Sequence, residues 1–292
     1  MSITHKINSI IVTGANGQLG REIRDLEKAY PSIRFYFFSR EELNIGDDAQ
    51  VEKIFTEIQP RFCVNCAAYT AVDKAESETE KAFLINALGA QNLAESSSKH
   101  NTRFIHISTD YVFDGNASEP YKEDHPTNPM GVYGASKLEG ERLSLEAAPD
   151  CIIIRTSWVY SVYGNNFVKT MLRLLHAKPE LNVVADQLGT PTYAHDLANA
   201  IMHIITTNNW VAGIYHFSNE GITTWFEFAK EIGSLSNADC IVHPIATSQY
   251  PTAAQRPQYS VISKEKIKSI YDLNLLDWKE SLSNCIERMP AP

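Results

Sequence analysis

The chain is poor in the features that mark secreted, fibrous or membrane proteins. It has 5 cysteines in 292 residues, an odd number with no dense framework, so a disulfide scaffold is excluded. Its 14 glycines and 13 prolines are too few for a collagen-like or low-complexity chain. No apolar run approaches the ~20 residues that span a bilayer. Positive charge is short too: Lys plus Arg is 26 against 35 for Asp plus Glu, a formal net charge of −9. No basic run interrupts that deficit, which argues against a nucleic-acid partner. An anionic small ligand is still admissible, because a phosphate site needs local donors rather than a positive total. Metal-ligand spacing is missing as well. The 9 histidines are scattered. Cys63 and Cys66 lie on a strand running into a loop with no second pair nearby, which predicts two buried small hydrophobes and no metal. Residues 1–8 are short and polar and lack the apolar centre of a signal peptide, so a soluble cytoplasmic protein with no membrane partner is expected.

What is present is an ordinary globular composition, 43% apolar and 21% charged, in an alternating pattern. Residues 9–13, 33–38, 62–66, 104–108 and 151–155 read as strands. Residues 18–30, 49–59, 79–100 and a segment starting near Tyr133 read as helices. Such alternation predicts right-handed crossovers and an α/β, doubly wound parallel sheet of the Rossmann type. Past residue 160 the rhythm loosens, with helices over 166–176, 195–206 and 224–235 between stretches rich in Pro, Asn and Thr. The expected organisation is a dinucleotide-binding domain over 1–160, with return segments around 183–220. A smaller α/β substrate-binding domain takes up 161–292.

Gly14, Gly17 and Gly20 stand between the first strand and the first helix, with Asn16, Gln18 and Leu19 completing the loop. Glycines let a backbone turn tightly against a pyrophosphate, and the helix N-terminus offers free N–H groups. A structural turn would use the same residues; the placement between strand and helix is what points to a dinucleotide. Where an acidic residue would bind the ribose 2′-hydroxyl of NAD stand Phe38, Ser39 and Arg40, with no carboxylate until Glu41. Ser39 and Arg40 suit a 2′-phosphate, so NADPH is expected, with NADH open as a second cofactor. A solvated arginine at a strand end is the alternative.

Tyr133 and Lys137 are four residues apart and share a helix face. An ammonium beside the phenol is expected to lower its pKa from the reference ~10 and match it to proton transfer. Thr109, in Ser108-Thr109-Asp110-Tyr111, follows an apolar strand and points into the crevice where ligands of such sheets bind. There its hydroxyl would polarise a substrate carbonyl, although a turn built from Ser, Asp and Gly looks the same. Loop, hydroxyl and Y-x-x-x-K in this order are far less expected by chance than any one alone.

These motifs have company: 65–73 (Asn65 to Asp73), Ile85-Asn86, 108–115, 155–160 (Arg155 to Tyr160), 166–168, Asp186-Gln187, Gly189, Pro191-Thr192 and Arg256-Pro257. With them the chain resembles the extended short-chain dehydrogenase/reductases and, among these, the dTDP-4-dehydrorhamnose reductases. The resemblance implies NADPH-dependent reduction of dTDP-4-dehydro-β-L-rhamnose to dTDP-β-L-rhamnose. Tyr133 would deliver the proton, Thr109 would orient the carbonyl, and Lys137 would tune Tyr133 and hold the nicotinamide ribose. It also implies Asn44, Ile45, Ala67, Ala68 and Tyr69 along the cofactor, and Asp110, Tyr111, Trp158, Asn166, Gln187 and Arg256 at the nucleotide sugar. Asn86 would bond backbone beneath the site, and a homodimer is compatible with the family. Backbone N–H groups from Gly17 to Leu19, with Arg40 and Arg256, would meet the diphosphates. The chain departs from the family's usual pattern at Ser39, which bears on cofactor choice, and at Ser161, which bears on loop shape. The alternatives are an epimerase or dehydratase of nucleotide sugars on the same scaffold, or a non-catalytic subunit like the regulatory β subunit of methionine adenosyltransferase. The presence of Thr109, Tyr133 and Lys137 together favours catalysis.

Overall fold

The computed structural model describes residues 8–207 and 209–289, so the polar stretch 1–7 and the expectation placed on it lie outside the described residues. Alternation within the first strand decides the layering. β1 (Asn8–Thr13) sends Ile10 and Val12 to one face and Ile11 to the other, and all three are fully buried. A strand apolar on both sides needs a covering layer on each.

The chain supplies those layers in turn: α1 (Gln18–Leu26), β2 (Ile33–Phe38), α2 (Asp48–Ile58), β3 (Phe62–Asn65), α3 (Val72–Ala75), α4 (Thr79–Phe83), α5 (Gly89–Lys99), β4 (Arg103–Thr109), α6 (Val132–Ala147) and β5 (Ile152–Thr156). Then come β6 (Val159–Tyr160), α7 (Phe167–Ala177), β7 (Glu180–Val184), β8 (Leu188–Gly189), β9 (Thr192–Tyr193), α8 (Ala194–Thr206) and β10 (Gly213–Phe217). The last elements are β11 (Thr223–Thr224), α9 (Trp225–Leu235), β12 (Ile241–Ile245), α10 (Glu265–Tyr271) and α11 (Trp278–Glu287).

Among the described residues the main sheet has six strands, all parallel, in the order β10-β5-β4-β3-β1-β2. The doubly wound sheet expected from the sequence is present. One face sets Ile10, Val12, Ile105, Ile152 and Ile154 against α1, α8 and α10; the other sets Ile11, Cys63, Phe104 and Ile153 against α2 and α5. Each such isoleucine contributes about 1.5–3 kcal/mol relative to an exposed one. A further core gathers Val168 and Leu175 of α7, Phe228 and Ile232 of α9, and Leu282 of α11, beside the paired strands β7 and β12.

Two helix boundaries differ from expectation. α1 ends at Leu26 and passes into a 3-10 turn, Glu27–Ala29. The helix expected over 79–100 is α4 and α5 joined through a π-helical stretch, Leu84–Leu88. That stretch carries Asn86, which accepts from the Tyr69 N–H at 2.8 Å and donates to the Tyr69 carbonyl at 3.1 Å. π turns are commonly found where a side chain must be re-aimed. Gly140 of α6 permits the close crossing: a Cβ there would lie 2.0 Å from the Asn86 carbonyl oxygen.

Strand order reverses between β1 and β3. In open α/β sheets the crevice outside the carboxyl ends of the strands at such a point is where ligands bind.

Candidate active site

A cleft of about 720 Å³ opens at that reversal. Gly14, Asn16, Gly17, Gln18, Leu19, Arg40, Asn44, Ile45, Ala67, Ala68, Tyr69, Tyr133 and Lys137 all line it. Gly14 has φ +65°, and a Cβ there would fall 2.6 Å from the Ala67 nitrogen. Only glycine fits both the left-handed backbone and the close approach of the neighbouring strand end. α1 is preceded by Gly17, which offers no side-chain cap, and has no acidic residue in its first turn. Its first N–H groups are therefore left for an anion in the cleft. Gly20 and Ser39 are set back. A Cβ on Gly20 would lie 2.5 Å from the Gly14 carbonyl oxygen, so Gly20 keeps the helix close beneath the loop. Ser39 is buried and its N–H donates to Glu42 Oε2 at 2.8 Å. That bond and a second from the Ser39 hydroxyl hold the Glu42 carboxyl below the usual carboxylate range.

Of the chemistry-bearing residues Tyr133 and Lys137 line the cleft, whereas Thr109, Asp110 and Tyr111 lie beside Tyr133 and outside that lining. Tyr133 and Lys137 rise from the first turns of α6, and Tyr111 packs edge-on to the Tyr133 ring, centroids 5.5 Å apart. Burial pushes the Tyr133 phenol up to about 12, partly offset by hydrogen bonding with Thr109. Here the structure corrects an expectation, because Lys137 does not pull the phenol down. The lysine's long stem dips behind the helix to β4, where Nζ donates to the Ile107 carbonyl at 2.6 Å and lies 3.3 Å from His106 Nε2. Burial lowers the ammonium itself to about 8. Thr109 is buried, accepts from the Tyr111 N–H at 3.2 Å and donates to Asp110 Oδ1 at 2.9 Å. Asp110 Oδ2 is buried with no hydrogen-bond partner among the described residues, and burial pushes this carboxyl up to about 7.

A second cavity of about 360 Å³ lies among α7, β7 and α9, with Gln187, Trp225, Tyr250 and Arg256 in its wall. Gln187 accepts from Trp225 Nε1 at 3.1 Å, and Trp158 stacks on Trp225 from behind. Arg256, expected at a diphosphate, is held by Asp73 through two bonds of 3.1 and 2.7 Å. Asn166 caps α7 and donates to Gln18 Oε1 at 2.9 Å, tying that helix to the glycine loop. Ser161 donates to the buried Glu22 of α1 at 2.5 Å, which accounts for a hydroxyl in that loop.

Sequence reasoning missed Asp73, Glu42, His106 and Trp225 as site residues. Glu42 was within reach, one residue past the carboxylate considered. Asp73 closes the stretch 65–73 that carries the resemblance, and nothing local singles out His106 or Trp225. Cys63 is buried as expected; Cys66 is partly exposed and lines the cleft. Among the described residues there is no group of three or more His, Cys, Asp or Glu placed to hold a metal, and no helix long and apolar enough to cross a membrane.

The family model for the RmlD substrate binding domain matches residues 8–290. A dTDP-4-dehydrorhamnose reductase of Aggregatibacter actinomycetemcomitans is 42% identical, covering 94% of this chain and 97% of its own. The spore coat polysaccharide biosynthesis protein SpsK of Bacillus subtilis is 42% identical, covering 96% and 98%. A crystal structure of dTDP-4-dehydrorhamnose reductase from Bacillus anthracis in complex with NADP superposes with a TM-score of 0.93 at 42% identity, covering 97% of this chain and 99% of that one.

Proposed function

The chain belongs to the RmlD substrate binding domain family, and from that premise we propose that it reduces dTDP-4-dehydro-β-L-rhamnose to dTDP-β-L-rhamnose with NADPH. The observation that carries this is the placement of Tyr133 and Lys137 in the same cleft as an uncapped glycine loop. The residues present fit a dinucleotide. A Cβ at Gly14 would fill the cradle, and the first turn of α1 leaves its N–H groups to a diphosphate. Arg40, exposed at the rim, suits a 2′-phosphate. When bound, the reduced nicotinamide supplies the hydride for the C4 carbonyl carbon.

The chain's own groups do the rest. Tyr133 gives its phenolic proton to the carbonyl oxygen, so the product is a neutral alcohol. A buried phenol pushed up to about 12 is fully protonated at neutral pH, which is the form a reductase needs before transfer. Thr109 orients the same oxygen beside Tyr133. Lys137 holds the ribose. The second cavity, with Trp225 and Tyr250 as apolar walls and Arg256 at its edge, suits the nucleoside and diphosphate of the sugar. Gln187, Trp158, Asp110 and Tyr111 place the sugar between the two cavities. The enzyme is assigned to the cytoplasm, and a homodimer is checked by sedimentation.

The test supplies dTDP-4-dehydro-L-rhamnose and follows nicotinamide absorbance and the sugar product. Wild type is expected to oxidise NADPH with this substrate. Tyr133→Phe should lose about 10²–10⁴-fold in kcat while still binding NADPH. Wild-type turnover in that variant overturns the assigned acid. Stoichiometric NAD carried through purification, without net NADPH oxidation, points instead to an epimerase.

A further inference from the structure

Four buried polar side chains run in single file behind the cleft, from β1 to α6. Thr13 Oγ1 donates to Asn65 Oδ1 at 2.7 Å, Asn65 Nδ2 lies 3.0 Å from His106 Nδ1, and His106 Nε2 lies 3.3 Å from Lys137 Nζ. Each of the four is 1% exposed or less, so no solvent competes for these contacts.

One backbone group sets the direction of every bond in the file. The Ala67 N–H has only a proton to give, and it lies 3.1 Å from the same Asn65 oxygen. The Asn65 amide oxygen must therefore face Ala67 and Thr13, and its –NH₂ must face His106. An amide –NH₂ only donates, so His106 Nδ1 accepts. Burial holds His106 neutral, and a neutral imidazole that accepts at Nδ1 carries its proton on Nε2. That N–H is aimed at Lys137 Nζ. An ammonium has no lone pair to receive it, whereas a neutral amine has one.

We propose that His106 is a positioning residue for Lys137: its fixed Nε2–H favours the neutral amine, and proton uptake by Lys137 drives the ammonium off the imidazole towards the cofactor cleft. The inference rests on the assignment of Lys137 to the cofactor. The proton comes from a solvent acid, hydronium or buffer: its bond to hydrogen breaks as one N–H bond forms at Nζ, and no other covalent bond of the protein changes. The groups facing Lys137 permit this. The Ile107 carbonyl of β4 accepts from either form of the amine. Glu141, one turn along α6, already accepts from Arg155 and Ser108. Cys66, at the end of β3, is a thiol whose ionisation burial suppresses, and Tyr133 is a neutral phenol. No unshared anion stands beside the ammonium to oppose the imidazole. Binding of a diphosphate cofactor, itself anionic, then favours the protonated, turned-out form, so binding and proton uptake are coupled.

The test uses the ligand-free full chain with isotope-labelled histidine and lysine. The His106 ring is expected to show nitrogen shifts of the Nε2–H tautomer; the Nδ1–H tautomer overturns the proposal. His106→Leu removes the donor and should raise the Lys137 titration midpoint by about one pH unit. His106→Gln, whose amide accepts from Asn65 and donates to Lys137, should leave it near wild type. An unmoved midpoint in a folded Leu variant overturns the proposal. Should that variant fail to fold, Asn65→Asp moves the ring proton to Nδ1 and must raise the midpoint; no rise overturns the proposal equally. NADP⁺ binding near pH 8, measured calorimetrically in buffers of different ionisation enthalpy, should take up a fraction of a proton in wild type and less in Asn65→Asp. These titrations involve no turnover, so an active Tyr133→Phe would sink the catalytic assignment and leave them readable.

Discussion

Trp158 lies flat on Trp225, with ring centroids 3.5 Å apart and planes 9° from parallel. To reach that position Trp158 takes a left-handed backbone, φ 48°. A non-glycine residue there costs about 1–2 kcal/mol, which the stack and its burial must offset. The pair joins the end of β5 to the start of α9 and backs the wall of the second cavity.

Gly189→Ala is expected to break that relationship. A Cβ would fall 2.5 Å from Trp158 Cε2 and 2.7 Å from Ser260 Oγ. Overpacking of this kind costs about 1–3 kcal/mol. Denaturant melts should show that loss, and KM for the nucleotide sugar should rise while NADPH affinity holds. An unchanged KM would remove the tryptophan pair from the substrate site.

Gly14→Ala should act on the other cavity. Its φ of +65° and the 2.6 Å approach to the Ala67 nitrogen leave no room for a methyl group. Cofactor affinity, followed by fluorescence titration, should fall by about tenfold or more. Retained affinity would show that the loop does not cradle the diphosphate.

Cofactor preference should separate Arg40 from Glu42. Arg40→Ala is expected to lower kcat/KM for NADPH by about tenfold and to spare NADH. Glu42→Gln removes a carboxylate from the end of β2, where Ser39 holds it, and should move the preference further towards NADPH. Equal losses with both cofactors in the arginine variant would exclude a 2′-phosphate contact.

The pH dependence of stability should carry a signature of Asp110. Its carboxyl is pushed up to about 7 by burial, against ~3.9 for an unfolded chain. The folded form binds the proton more tightly, so Asp110 is least costly below pH ~4 and most costly above pH ~7. Asp110→Asn should exceed wild type by about 2–4 kcal/mol at pH 8 and show no gain at pH 4. Thermal melts at the two pH values decide it; equal gains at both would locate the effect in packing.

Much of the cofactor cleft was legible in the chain because its determinants are local. Glycine spacing between strand and helix encodes a tight turn, and Tyr133 and Lys137 share a face by the helical period. What escaped was the partner of each charged group. Arg256 and Asp73 are 183 residues apart, and nothing near either one predicts the other. The same holds for the π stretch at Leu84–Leu88, whose Asn86 answers to the backbone of Tyr69.

The amino-acid sequence by itself determined the strand–helix alternation, the glycine turn and the set of groups able to move a proton. These follow from side-chain period and backbone sterics, which act over a few residues. The tertiary structure alone decided where protons sit. It turned Lys137 away from Tyr133 and towards His106, and left Asp110 Oδ2 without a partner. Protonation depends on burial and on donors and acceptors brought together through space. In a dry interior one backbone N–H, that of Ala67, is enough to orient a row of side chains from three strands and a helix.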